Sequence, residues 1–244
     1  MSNVYEALLH AQWQQGTVED PATPLAAQDA LVAHPRATME REMVELHLNV
    51  EALLPDTPRK IIQFTGSRAG EGVSTVVREY AWMATEKLGK SVLIIDTDQT
   101  DRGQNVFSHI RNRYSWGDAV RGQVAIDESF SRIDNTNLYV SGYSSRPGAA
   151  AQLPDSQQFV SLFERLRVRF DLVLIDSPSS ATGLDALVLA RCVDGVILVV
   201  EAEKTRWPIV ESVKNRIVNN GGKILGTVFN KRRNYIPEFI YSRL

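Results

Sequence analysis

Cysteine is nearly missing from this chain. Cys192 is the only one in 244 residues, so no internal disulfide can form, which fits a reducing compartment. It lies in "LDALVLARCVDG", a stretch of helical character, and reads as a small buried core residue rather than a reactive thiol. Histidine is sparse as well. His10, His34, His47 and His109 show no metal-ligand spacing, and no G-x-S-x-G pattern occurs, so zinc-site and α/β-hydrolase chemistries find no support. An excess of one charge is also lacking. The formal net charge of −2 leaves no global field toward nucleic acid or anionic lipid. No apolar run approaches the roughly 18 residues of a membrane span, and no secretory signal opens the sequence. The expectation is a cytoplasmic protein with no nucleic-acid partner, reaching a membrane only through a partner or a local surface contact.

What is present is an ordinary globular composition, 43% hydrophobic and 23% charged, enough for one α/β domain with an appendage. Residues 2–15, "SNVYEALLHAQWQQ", place Val4, Leu8, Leu9 and Trp13 near one helical face. A Pro- and Ala-rich linker follows over 16–36, then a second amphipathic stretch over 37–54 that ends at Pro55 and Pro58. Residues 1–58 therefore read as a helical arm, 59–231 as the main domain and 232–244 as a tail.

From residue 60 short apolar runs recur: "KIIQFTG", "SVLIIDTD", "NLYVSG", "FDLVLIDSP", "DGVILVVEA" and "KILGTVFN". Each suits a strand covered on both faces. Helical stretches at 74–88, 155–168, 183–192 and 206–220 separate most of them. The alternation predicts a doubly wound, mostly parallel sheet, with ligands at the carboxyl ends of the strands. The loops after the first, second and fourth runs are then the informative ones.

The first is "GSRAGEGVST", residues 66–75. Gly70 and Gly72 permit torsions and close approach that a β-carbon forbids, and the amides opening the next helix form an anion nest. Ser74 takes the place whose hydroxyl binds Mg²⁺ in a P-loop, G-x-x-x-x-G-K-[ST]. The lysine slot of that pattern holds Val73. A plain glycine turn from strand to helix is the other reading of this loop alone. The second loop ends a strand in Asp96 and Asp98, where capping of a following helix is the alternative. In the third, four apolar residues lead to Asp176, the Walker B layout that holds Mg²⁺ directly or through water.

Together "AGEGVST", "VLIIDTD" and "DLVLIDSP", with "DALVLARCVDGVILVVEAEKTR" and "GKILGTVFNK", resemble the cytoplasmic kinase domain of bacterial tyrosine kinases. These BY-kinases of capsule and exopolysaccharide export are relatives of the MinD/ParA-type ATPases. The resemblance covers residues 59–231 and only weakly the arm. It implies a P-loop NTPase fold, ATP or ADP with Mg²⁺ as cofactor, and Asp98 as the catalytic carboxylate. It further implies nucleotide contacts from Arg68, Gly70, Glu71, Gly72, Ser74, Thr75 and Asn230, the last at adenine, and metal contacts from Ser74, Asp96 and Asp176. An inner-membrane polysaccharide co-polymerase or a kinase-competent relative is the implied partner, with a homodimer as an open alternative.

Three departures from the family shape the functional expectation. Val73 removes the charge that contacts the β/γ-phosphates, so an impaired, pseudokinase-like member is expected, with weak or no nucleotide binding. Arg68 stands where the relatives' second, signature lysine lies and is the candidate substitute cation; an exposed loop arginine is the plainer reading. The tail "KRRNYIPEFIYSRL" offers only Tyr235 and Tyr241 in place of a tyrosine cluster. Its Lys231, Arg232 and Arg233 read as a solvated charge cluster, with contact to lipid or nucleotide phosphate as the alternative. Finally, the ring-building E-x-x-R-x-x-R pattern of the family becomes Arg41, Val44 and His47, which argues against a family-style octamer. An active autokinase using Arg68, or a MinD/ParA-like positioning ATPase, are the competing readings.

Overall fold

The computed structural model describes residues 39–97, 114–142, 156–179 and 184–232. The chain divides into two units, Met1–His34 and Pro35–Leu244, and every described residue lies in the second. That unit opens with helix α1 (Glu40–Leu53), strand β1 (Lys60–Gly66), helix α2 (Val73–Glu86) and strand β2 (Val92–Asp96). A short helix α3 (Trp116–Val120), a 3-10 turn at Ile126–Glu128, and strands β3 (Ser131–Arg132) and β4 (Leu138–Ser141) come next. Helix α4 (Ser156–Arg169), β5 (Leu172–Asp176), α5 (Leu184–Ala190), β6 (Gly195–Glu201), α6 (Trp207–Asn219) and β7 (Ile224–Asn230) complete it.

The seven strands lie in the order β3-β4-β2-β5-β1-β6-β7. All pairings are parallel except β3 with β4. This is the predicted doubly wound α/β sheet, with one strand more than the apolar runs indicate. Strand β3 is two residues long, too short to leave a periodic signal, and α3 is a five-residue helix held by a capping box between Ser115 and Asp118.

Burial explains why the strand sequences do not alternate. β1 is buried throughout, as are β5 and all of β6 but its last residue. One face carries Ile61, Leu93, Ile95, Val173 and Ile175 against Phe159, Leu162, Phe163 and Leu166 of α4. Further along that face, Val196, Leu198 and Val200 of β6 meet Val210, Val213 and Ile217 of α6. The opposite face is covered by α2, whose Tyr80 ring lies 6.0 Å from Phe64. Leu174, at the centre, is wholly buried. Burying side chains of this size contributes about 1.5–3 kcal/mol each.

Helix α1 belongs to this packed unit rather than to a separate arm. Met43, His47 and Val50, spaced four and three apart, are buried on one face, and the helix packs on α2. Its polar anchor is Glu51, which accepts hydrogen bonds from Lys60 (2.6 Å) and Lys90 (2.9 Å). Burial raises the Glu51 pKa, but these two ammonium groups outweigh it and the net shift is downward. The Tyr80 hydroxyl lies 3.0 Å from His47 Nδ1, and Glu51 lies 3.4 Å from Nε2. Glu51 is ionised and can only accept, which puts the proton of the neutral ring on Nε2 and leaves Nδ1 to accept the Tyr80 O–H.

Candidate functional site

Parallel pairing brings the informative strand ends to one edge of the sheet. Asp96 at the tip of β2 stands in register with Asp176 at the tip of β5, and Asp176 with Phe64 of β1. The junction is stitched by hydrogen bonds. The N–H and hydroxyl of Thr97 both donate to the Asp176 carbonyl at 2.9 Å, the Ser177 N–H donates to the Phe64 carbonyl, and the Thr65 hydroxyl donates to the Pro178 carbonyl. The Trp116 indole N–H donates to the Asp96 carbonyl at 2.9 Å, holding β2's end from the α3 side. Asp176 is buried and Asp96 half-buried, and both make further contacts. Asp98 lies outside the described residues.

Between β1 and α2 the glycine loop takes its shape from two left-handed residues, Gly70 (φ 83°) and Gly72 (φ 88°). Gly72 caps α2, and its carbonyl accepts the Val76 N–H. Ser74 is exposed in the first turn, Thr75 and Val73 are half-buried, and a Val73 methyl lies against Gly66. Ser74, Asp96 and Asp176 offer only oxygen donors, the set a hard dication such as Mg²⁺ takes together with phosphate and water. Among the described residues no group of three His, Cys, Asp or Glu side chains is placed to hold a metal without such help.

The structure gives Glu71 a specific task. Its carboxylate is buried and turned into the loop, where it accepts the Ser67 N–H (2.6 Å), the Arg68 N–H (2.9 Å) and the Ser67 hydroxyl (2.9 Å). On its far side it accepts the Thr205 hydroxyl at 2.5 Å, beyond the end of β6. Glu71, placed by resemblance among the nucleotide contacts, thus commits its carboxylate to bracing the loop.

Asn230, placed by resemblance at adenine, uses its amide to donate to the Glu71 carbonyl at 2.9 Å, while its side-chain oxygen accepts the Lys231 N–H. Next to it Lys231 (φ 57°) extends back over the loop, and its ammonium donates to the Gly70 carbonyl at 2.6 Å. Two consecutive side chains at the tip of β7 thereby hold two consecutive carbonyls of the glycine loop. Arg68 joins through its main-chain N–H, with an exposed side chain. No motif in the sequence marks Thr205 or Trp116 for these roles. Lys231 is one of three charges for which the sequence leaves phosphate contact as an alternative, and its hold on the Gly70 carbonyl is not legible there.

A glycine loop joins strand to helix at the edge of a parallel sheet where β2 and β5 end in carboxylates, and the α/β fold is MinD-like. Solved structures agree on the fold. The kinase domain of the Escherichia coli tyrosine kinase ETK matches with a TM-score of 0.67 at 19% identity, covering 81% of this chain and 79% of that one. The septum site-determining protein MinD of Pyrococcus horikoshii, complexed with Mg-ADP, matches at 0.59 and 21% identity, covering 75% and 76%. The chain belongs to the family of the cellulose biosynthesis protein BcsQ, whose sequence model matches residues 59–212. It is similar to the tyrosine-protein kinase CpsD of Streptococcus agalactiae, 28% identical over 179 residues, 70% of this chain and 74% of that one. It is also similar to the succinoglycan biosynthesis transport protein ExoP of Rhizobium meliloti, 24% identical over 204 residues, 82% of this chain and 26% of that one. No described helix is long and apolar enough to cross a membrane.

Proposed function

We propose that this chain is a BY-kinase-like binding and regulatory component of exopolysaccharide or capsule assembly, in which nucleotide binding is weakened and phosphoryl transfer impaired. One observation carries the reading: the loop keeps its left-handed glycines, its brace and its facing carboxylates, while Val73 occupies the lysine slot. Losing a charge-assisted contact costs roughly 1.5–3 kcal/mol, or about ten- to a hundredfold in affinity. A single cation on the transition state is worth on the order of a thousandfold in rate, so transfer suffers more than binding. ATP or ADP would lie with its phosphates against the amides of Gly70, Gly72, Ser74 and Thr75, and Mg²⁺ with Ser74, Asp96 and Asp176. Mg²⁺, when bound, supplies charge neutralisation at the phosphates.

The partner class follows from the company the sequence keeps. ExoP is named for polysaccharide transport and CpsD for tyrosine phosphorylation. A membrane co-polymerase or a kinase-competent relative is the proposed binding partner, with a cytoplasmic position at the membrane through that partner. Tyr235 and Tyr241 lie outside the described residues and are not assigned as phosphorylation sites.

Calorimetric titration of MgATP and MgADP, with phosphotyrosine immunoblotting, tests this on the native chain and on Val73→Lys. The expected result is weak binding and no phosphotyrosine in the native chain, and at least tenfold tighter binding in Val73→Lys. Robust autophosphorylation by the native chain would overturn the reading.

A further inference from the structure

The lysine slot of the loop is empty of charge, yet an ammonium group does rest on the loop. Lys231 reaches it from β7, donating to the Gly70 carbonyl at 2.6 Å, with Glu201 at 3.7 Å. The stem runs beside the residue that precedes the slot: a β-carbon on Gly72 would lie 3.9 Å from Lys231 Cε. The backbone makes this reach specific, because Lys231 is one of three described non-glycine residues with positive φ, a conformation disfavoured for an L-residue. Asn230 holds the turn by accepting the Lys231 N–H on its side-chain oxygen.

We propose that Lys231 is the remaining cation of this phosphate site, supplied from the end of β7 and, shared with Gly70 and Glu201, making good only part of the missing loop charge. The proposal rests on the nucleotide-binding reading above and names the residue that gives it charge. An ammonium has three donors, and the Gly70 carbonyl takes one. About half of the Lys231 side chain is exposed (48%), so its head is free to turn from Glu201 toward an arriving polyphosphate. Arg68, the sequence-based candidate, contributes its main-chain N–H to the Glu71 brace. The ligand class is a nucleoside di- or triphosphate, recognised by loop amides plus one mobile ammonium.

The test titrates MgADP into the full-length chain and into Lys231→Ala, Lys231→Arg and the double variant Val73→Lys/Lys231→Ala, at low and moderate salt. Arg232→Ala controls for net charge, and thermal melting controls for folding. Lys231→Ala is expected to bind about ten- to a hundredfold more weakly, with a shallower salt dependence and an unchanged melting temperature. Lys231→Arg should retain most of the affinity, and Val73→Lys/Lys231→Ala should regain it, because the charge returns to the same phosphates. Equal affinity of the native chain and Lys231→Ala would overturn the role of Lys231 and leave the nucleotide site standing. Failure of the double variant to regain affinity would assign Lys231 to loop shape alone and also overturn it. A native chain that binds no MgADP at all would remove both proposals together.

Discussion

The side-chain amide of Asn230 donates to the Glu71 carbonyl at 2.9 Å and lies directly over Gly72. A β-carbon at Gly72 would collide with that amide, and φ 88° is strained for any L-residue. Gly72→Ala should therefore destabilise the fold by about 1–3 kcal/mol in denaturant unfolding. Asn230→Ala alone should cost about 1 kcal/mol. The double variant should cost less than the sum, since the second substitution removes the collision made by the first. Strict additivity would show that the two residues do not meet.

Glu71 gathers donors from three residues in two segments of the chain, so its removal leaves the buried Ser67 groups, the Arg68 N–H and the half-buried Thr205 hydroxyl without an acceptor. Glu71→Ala should destabilise the fold by about 2–3 kcal/mol, an unsatisfied buried donor costing about 1–3. Thr205→Val, which loses one donor at the rim of the same network, should cost about 1 kcal/mol. Hydrogen exchange at the Ser67 and Arg68 amides checks the cause. Both amides should exchange faster in Glu71→Ala.

Much of the fold was legible in the apolar runs. Strands buried on both faces write themselves as unbroken Val, Ile and Leu, and Asp96 and Asp176 mark where two of them end at one edge of the sheet. Periodicity shows that a face is apolar but not what covers it. Met43, His47 and Val50 thus revealed an amphipathic helix and left its docking on α2 unread. Lys231 was hidden for a different reason. Its importance lies in a hydrogen bond to Gly70, 161 residues away in sequence, which no local pattern records.

His47 should make stability depend on mild acid. Burial lowers its pKa from the ordinary 6.5, with Lys90 and Lys60 adding to the effect and Glu51 opposing it. The folded state therefore holds the neutral ring, and the Tyr80 hydroxyl faces it. Stability is full above pH 6.5 and is lost as pH falls through the lower folded value, because the unfolded chain binds the proton first. Melting temperature followed from pH 7.5 to 5.5 should decline, and His47→Gln should flatten that decline. Glu51, whose folded pKa lies below 4.5, adds its own loss only in stronger acid.

Trp116 offers a probe of the metal role proposed for Asp96. Its indole N–H holds the Asp96 carbonyl, and its ring lies 6.0 Å from Phe159. Trp116→Phe keeps the ring contact and deletes the donor, which should cost about 1 kcal/mol, or roughly fivefold, in whatever depends on Asp96 being held in place. ADP affinity in the presence of Mg²⁺ should fall by up to that factor, and affinity without Mg²⁺ should not change. An equal fall in both would detach Asp96 from the metal.

The glycine loop is braced by Glu71 from inside and by Asn230 and Lys231 from outside, and none of these bonds uses the side chain at position 73. Architecture and chemistry are therefore separate heritable traits here. The side chain at position 73 can change while every bond that braces the loop, and the fold around it, is kept.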